Sequence, residues 1–162
     1  MQNKKQPSRI LAIDYGLKRI GLAQSDERHI LASQLETFFS NGKLEDTAVQ
    51  LARHLKQRAS DGKFSIHSIV LGLPLRMSGE MGLMADETKA FGEALEPLIA
   101  APIVLWDERL TSVQAERSMM EGRLRRKKRA QKVDGIAAVL ILQSYLDSLS
   151  EPSDLPPIPP LP

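Results

Sequence analysis

Apolar residues along the chain fall into two patterns, short unbroken runs and longer stretches with helical spacing. The run Ile10-Leu11-Ala12-Ile13 predicts a short buried strand over residues 9–13. Residues 19–24 predict a second strand, with Tyr15-Gly16-Leu17-Lys18 as the turn of a hairpin. A third extended piece is expected between residues 29 and 39, where Ile30, Leu31, Leu35, Phe38 and Phe39 recur irregularly. Leu44, Ala48, Leu51, Ala52, Leu55 and Ala59 then repeat at helical intervals, which predicts an amphipathic helix over residues 43–59 behind the Asn41-Gly42 break. Residues 66–71 read as a buried strand stopped by Gly72-Leu73-Pro74, and a Gly- and Met-rich loop leads on to Met84. Helical spacing returns through Met84, Thr88, Phe91, Leu95 and Leu98 until Pro97 and Pro102 stop it, and residues 103–106 give one more strand. Thr111-Ser112-Val113-Gln114 has the form of a capping box, so a helix is expected to start there. A last helix is predicted over residues 133–149, with Ile136, Ala137, Leu140, Ile141 and Tyr145 on one face.

This order implies an α/β fold, a mixed sheet covered by helices. A chain of 162 residues, 42% hydrophobic, fits one core and hence one domain over residues 1–149. Residues 150–162 differ in kind: six prolines in the last eleven positions exclude a helix or central strand and predict an extended or disordered tail. No run approaches the roughly 20 apolar residues that span a bilayer, and the basic start Met1-Gln2-Asn3-Lys4-Lys5 lacks the apolar segment of a secretory signal. A cytoplasmic protein with no membrane partner is expected. The chain has no cysteine, which excludes disulfides, thiolate metal sites and a cysteine nucleophile.

The formal net charge of +2 conceals an asymmetry. Seven of the 22 Lys and Arg residues (Arg123, Arg125, Arg126, Lys127, Lys128, Arg129 and Lys132) fall in one ten-residue window without an acid. The remaining 15 basic residues face 20 acidic ones, so the rest of the chain is net acidic. A block of like charge is commonly a solvated face; the other reading is a polyanion contact driven by phosphate neutralisation and counterion release. Its position favours the second, because the run leads straight into Asp134.

Asp14 closes the first apolar run, Asp107-Glu108 follow the last one, and Asp134 opens the predicted final helix. Singly, each has a plain explanation. Asp14 can serve as a turn former, and the others can sit at helix starts that favour negative charge. Together, acids at two strand ends and one helix start can meet at the edge of a sheet where ligands of α/β folds bind. Clustered carboxylates repel unless they are protonated or hold cations, and their hard oxygens suit Mg2+ or Mn2+. Two such ions about 4 Å apart can activate water and stabilise a leaving oxygen in phosphodiester hydrolysis. His29, His54 and His67 are scattered without zinc-like spacing and are expected to be structural. The low aromatic content, 4%, argues against a base-stacking platform.

Four segments carry a resemblance: residues 14–26 (DYGLKRIGLAQSD), residues 70–75 (VLGLPL) with Gly79, residues 107–112 (DERLTS) with Ala115 and Glu116, and residues 134–147 (DGIAAVLILQSYLD). In this order they resemble the YqgF family, also called RuvX, over residues 9–147. The resemblance implies an RNase H-like fold with a mixed five-stranded sheet flanked by helices. It further implies a bacterial nuclease acting on the 5′ end of the 16S ribosomal RNA precursor, or, by the older family label, a resolvase of four-way DNA junctions. Carried onto this chain, the metal-binding acids are Asp14, Glu108 and Asp134. Asp107 competes with Glu108 for the site, since neighbours on a strand point to opposite faces. Lys18, Arg19, Arg109 and the basic run from Arg123 are expected to grip phosphates. Expected partners are nucleic acid and ribosomal particles, with the chain a monomer or weak homodimer. A binding-only ribosome-assembly factor is the alternative outside enzymes. Two features depart from the family pattern, the Met-rich loop over residues 76–84 and the proline tail.

Overall fold

The computed structural model describes residues 5–40, 42–76, 78–109 and 126–150, with side-chain surroundings for all of these except 126–134 and 150. The described elements are β1 (Ser8–Asp14), β2 (Arg19–Ser25), β3 (Ala32–Gln34), β4 (Phe38–Phe39), α1 (Leu44–Gly62), β5 (Ser65–Leu73), α2 (Leu83–Leu95), β6 (Ile103–Asp107) and α3 (Arg126–Ser150). A 3-10 turn, Glu96–Leu98, follows α2 where Pro97 can no longer continue the α-helix. The sheet runs β3-β2-β1-β5-β6, with β4 pairing to β2 beside this path. β1 and β2 form the expected antiparallel hairpin, and β1–β5 and β5–β6 are parallel. The mixed five-stranded sheet flanked by helices is therefore present, with β4 as a small addition. The irregular pattern between residues 29 and 39 has a cause: β3 and β4 pair with different ends of β2, and Leu35 turns into the core between them.

Both faces of the central strands are buried, which is why β1 reads as an unbroken apolar run. Leu11, Ile13, Tyr15, Ile69 and Leu71 pack against Ala48, Leu51 and Leu55 of α1 and Phe91 and Leu95 of α2. Ile10, Ala12, Ala23 and Val70 point to the other face and pack against Ala138, Ile141, Leu142 and Leu146 of α3. Each large apolar side chain buried in this way contributes about 1.5–3 kcal/mol, so both helical layers are firmly attached.

Two expectations for the last helix are corrected. The helix is already in place at Arg126, not near residue 133, because Arg, Lys, Gln and Ala are good helix formers and a polar extension has no apolar period to reveal it. Asp134 consequently lies more than two turns inside α3 rather than at its opening, so an N-terminal dipole does not account for it. The buried stripe also differs from the predicted one, with Ala138, Leu142 and Leu146 facing the sheet beside Ile141. Residues 136–142 are apolar all round, so spacing alone selects no face there. The predicted capping box at Thr111 falls outside the described residues.

Candidate active site

Asp14 is the last residue of β1, and strand alternation puts it on the face of Ile10 and Ala12, the face that α3 covers. Its neighbour Tyr15 goes to the opposite face and stacks on Phe91, ring centroids 4.5 Å apart. The turn that follows is tight. A β-carbon on Gly16 would collide with the Arg19 carbonyl oxygen, so only glycine closes the hairpin in this shape. Lys18 and Arg19 are thereby exposed directly beyond Asp14.

Glu108 comes from the next strand but one. Its backbone N–H donates to the Leu73 carbonyl at 3.1 Å, which carries the β5–β6 ladder one residue past Asp107. Trp106 lies on the α3 face, edge-on to Tyr145 and with its indole N–H donating to Ser144 Oγ at 3.3 Å. Alternation then turns Asp107 away and returns Glu108 to the α3 face. Gly72 on β5 leaves the room for it: a β-carbon there would fall 2.6 Å from Glu108 Oε1 and 2.6 Å from Ile141 Cδ1.

In that slot Glu108 hydrogen-bonds the side chain of Asp14. A hydrogen bond between two carboxyl groups requires that one of them carry a proton. Burial pushes the Glu108 carboxyl above its ordinary range, the Asp14 hydrogen bond opposes the rise, and the nearby charge of Asp107 adds to it. Asp107 belongs to a different pair. Arg109 donates from Nε to Oδ1 and Oδ2 at 3.1 and 3.0 Å, from Nη2 to Oδ2 at 2.7 Å, and from its backbone N–H to Oδ1 at 3.0 Å. These bonds hold the Asp107 carboxyl below its ordinary value and fix the Arg109 guanidinium at the strand end.

The structure thus joins Asp14 to Glu108 and separates Asp107 from them. Asp134 precedes Gly135, where any β-carbon would overlap the Gln34 side chain, so this part of α3 lies close against β3. The side chain of Asp134 is outside the described ones, and among the described residues no three acids or histidines form a metal-binding group. Arg126, Lys127, Lys128, Arg129 and Lys132 lie on the first two turns of α3 by backbone, while Arg123 and Arg125 are outside the described residues. Gly72 is the residue that sequence reasoning missed, since it reads there only as the stop signal of a strand. Its one legible clue is a glycine where the apolar run would otherwise continue.

Among the described residues, none of the three histidines contacts Asp14 or Glu108. The His29 ring lies tilted against His67, centroids 4.9 Å apart, and hydrogen-bonds Ser8, while His54 bonds Glu36. A cavity of about 510 Å³ lined by Arg9, Glu36, His54, Arg58 and Phe64 sits at the N-terminal ends of β1 and β5, the end opposite Asp14. There the Arg58 guanidinium holds Glu36 down at about 2. The stability this supplies is present above the ordinary value of 4.5 and is lost as pH falls through about 2. The pair is partly exposed, so Glu36→Gln is expected to cost only about 0.5 kcal/mol at pH 7 and to flatten the acid limb of a urea-melt series.

A mixed sheet in this order, with an acid pair at the C-terminal edge of its parallel strands and a long helix across one face, defines an RNase H-like protein. The architecture is that of Thermus thermophilus RuvC in complex with Holliday junction substrate, which superimposes with a TM-score of 0.56 at 12% identity, covering 88% of this chain and 97% of that one. The chain belongs to the RuvX family, whose model, described as Holliday junction resolvase, matches residues 8–148. A relative from Protochlamydia amoebophila, named "Putative pre-16S rRNA nuclease", is 55% identical over 91% of this chain and 99% of its own length. One of the same name from Koribacter versatilis is 42% identical over 88% and 92%.

Proposed function

We propose that this chain is a metal-dependent nuclease that hydrolyses phosphodiester bonds at the 5′ end of the 16S rRNA precursor. The observation that carries the reading is the meeting of Asp14 and Glu108, from the ends of two strands, in a slot that Gly72 keeps open. Half-buried carboxyl groups that share a proton when alone become, once ionised, the hard oxygen donors that Mg2+ or Mn2+ prefers, so the residues fit such ions. Asp14, Glu108 and Asp134 would hold them. When bound, the ions supply an activated water and charge stabilisation at the phosphate. Lys18, Arg19 and Arg109, together with the basic residues of α3, provide the phosphate contacts that orient the strand. The names of the relatives supply the substrate, and ribosomal particles are the setting in which it would be met.

The test is cleavage of precursor RNA with Mg2+ or Mn2+ by wild type and Asp14→Asn. The expected result is a loss of about 10³-fold with RNA binding retained, the size that several kcal/mol of lost charge stabilisation implies. Equal cleavage by both proteins defeats the assignment. The family's description favours one other substrate, a four-way DNA junction. Competing junction DNA against precursor RNA, with solution mass measured alongside, separates the two, because paired cuts need a dimer.

A further inference from the structure

The loop between β5 and α2 carries a guanidinium that the proposed chemistry leaves unused. Leu73, whose carbonyl receives the Glu108 N–H, also accepts the N–H of Leu75 at 3.0 Å. Leu75 then bridges back to Met81, and the Arg76 N–H donates to the Glu80 carbonyl at 3.0 Å. The Gly79 N–H closes the turn on the Arg76 carbonyl at 2.7 Å, with Gly79 at φ +87°, a left-handed conformation that favours glycine. The loop is therefore a small hydrogen-bonded hairpin rooted on the backbone of Glu108.

Two arginines meet this hairpin. The Nη1 of Arg109 lies 3.4 Å from where a Gly79 β-carbon would stand, and Arg76 Nε lies 3.0 Å from the corresponding point at Gly82. Arg109 is held by Asp107. Arg76 is exposed and its side chain makes no hydrogen bond or ion pair with any described residue, and the nearby Glu80 engages it only through the backbone. Arg76 stands three residues from Leu73, so its Cα is within about 11 Å of the β5 end whose carbonyl receives the Glu108 N–H, and its long side chain extends that reach. An exposed guanidinium with no acid partner among the described residues, beside the proposed cleavage site, suits a phosphate of the bound strand as its counter-ion.

We propose that Arg76 is a substrate-positioning residue that binds a backbone phosphate of the nucleic acid next to the one being cut. The inference rests on the nuclease reading of the Asp14–Glu108 site. Arg76 acts on binding and register and takes no part in the bond-breaking step. Its ligand is the sugar-phosphate backbone, so the contact is independent of base sequence.

The experiment measures the affinity of wild type, Arg76→Gln and Arg76→Lys for a precursor-RNA fragment across a salt series, with cleavage followed in parallel. Arg76→Gln should weaken binding about 5- to 10-fold and lower the slope of log K against log salt by about 0.7–0.9, the loss of one phosphate contact. KM should rise with kcat unchanged within twofold, and Arg76→Lys should restore the slope. An unchanged slope in Arg76→Gln overturns the inference, as does a fall in kcat with KM constant, or a wild type that binds no RNA. Because the slope is read without cleavage, a wild type that binds but never cuts defeats the nuclease reading and leaves the phosphate contact standing.

Discussion

Gly72→Ala is expected to lower kcat for RNA cleavage by about 10²- to 10³-fold while RNA binding stays within twofold. The added methyl has nowhere to go: one side is 2.6 Å from Glu108 Oε1 and the other 2.6 Å from Ile141 Cδ1. Ile141 is 1% exposed and packed from α3 against the sheet, whereas the Glu108 carboxyl is the end of a side chain that can swing. Glu108 therefore gives way and leaves Asp14, and a displacement of about 1 Å in a catalytic group costs roughly 10²-fold or more. The residual overpacking costs about 1–3 kcal/mol, a fall of about 2–12 °C in Tm for a domain of this size. The double variant Gly72→Ala with Ile141→Val separates the effects. Removing the δ-carbon should return much of the lost Tm, but the clash with Glu108 persists and cleavage stays low. A Gly72→Ala protein with wild-type kcat would show that the slot does not position Glu108.

That slot marks where the sequence stopped being legible. The acids at residues 14 and 108 could be read from their places after apolar runs, because a carboxylate at the end of a buried strand stands where the sheet edge meets its ligands. Which of Asp107 and Glu108 faces inward could not be read, since the answer depends on which face Trp106 occupies, a fact of packing against Tyr145 and Ser144 on a distant helix. Arg76 was passed over for a similar reason, as nothing local in Leu-Arg-Met-Ser-Gly-Glu says that the hairpin is rooted beside Glu108. The start of α3 was hidden for a different reason. Periodicity reveals a helix by its apolar stripe, and the Arg- and Lys-rich first turns have none, although their helix propensity pointed the right way.

Glu108→Gln is expected to abolish cleavage and, without metal, to make the protein more stable. The amide keeps the shape and its N–H can donate to the Asp14 carboxylate, so the two side chains stay hydrogen-bonded without a shared proton. What it removes is ionisation. Burial, with the charge of Asp107 adding to it, raises the folded-state pKa of Glu108 above its ordinary value of 4.5, so the folded protein holds its proton to higher pH than the unfolded chain. Stability then falls as pH climbs from 4.5 through the raised folded value, and the penalty is fully present above it. A glutamine has no such window. In EDTA at pH 7.5 the variant should melt about 2–4 °C higher than wild type, the gain that about 1 kcal/mol gives in a domain of this size. At pH 4.5 the two should converge. Millimolar Mn2+ should reverse the order, because only wild type keeps both carboxylates to bind it and ligand binding stabilises by mass action. Scanning Tm from pH 4.5 to 8 with EDTA and with Mn2+ reads all three effects, and a Glu108→Gln protein that melts below wild type in EDTA at pH 7.5 would mean that Glu108 is held for stability rather than for chemistry.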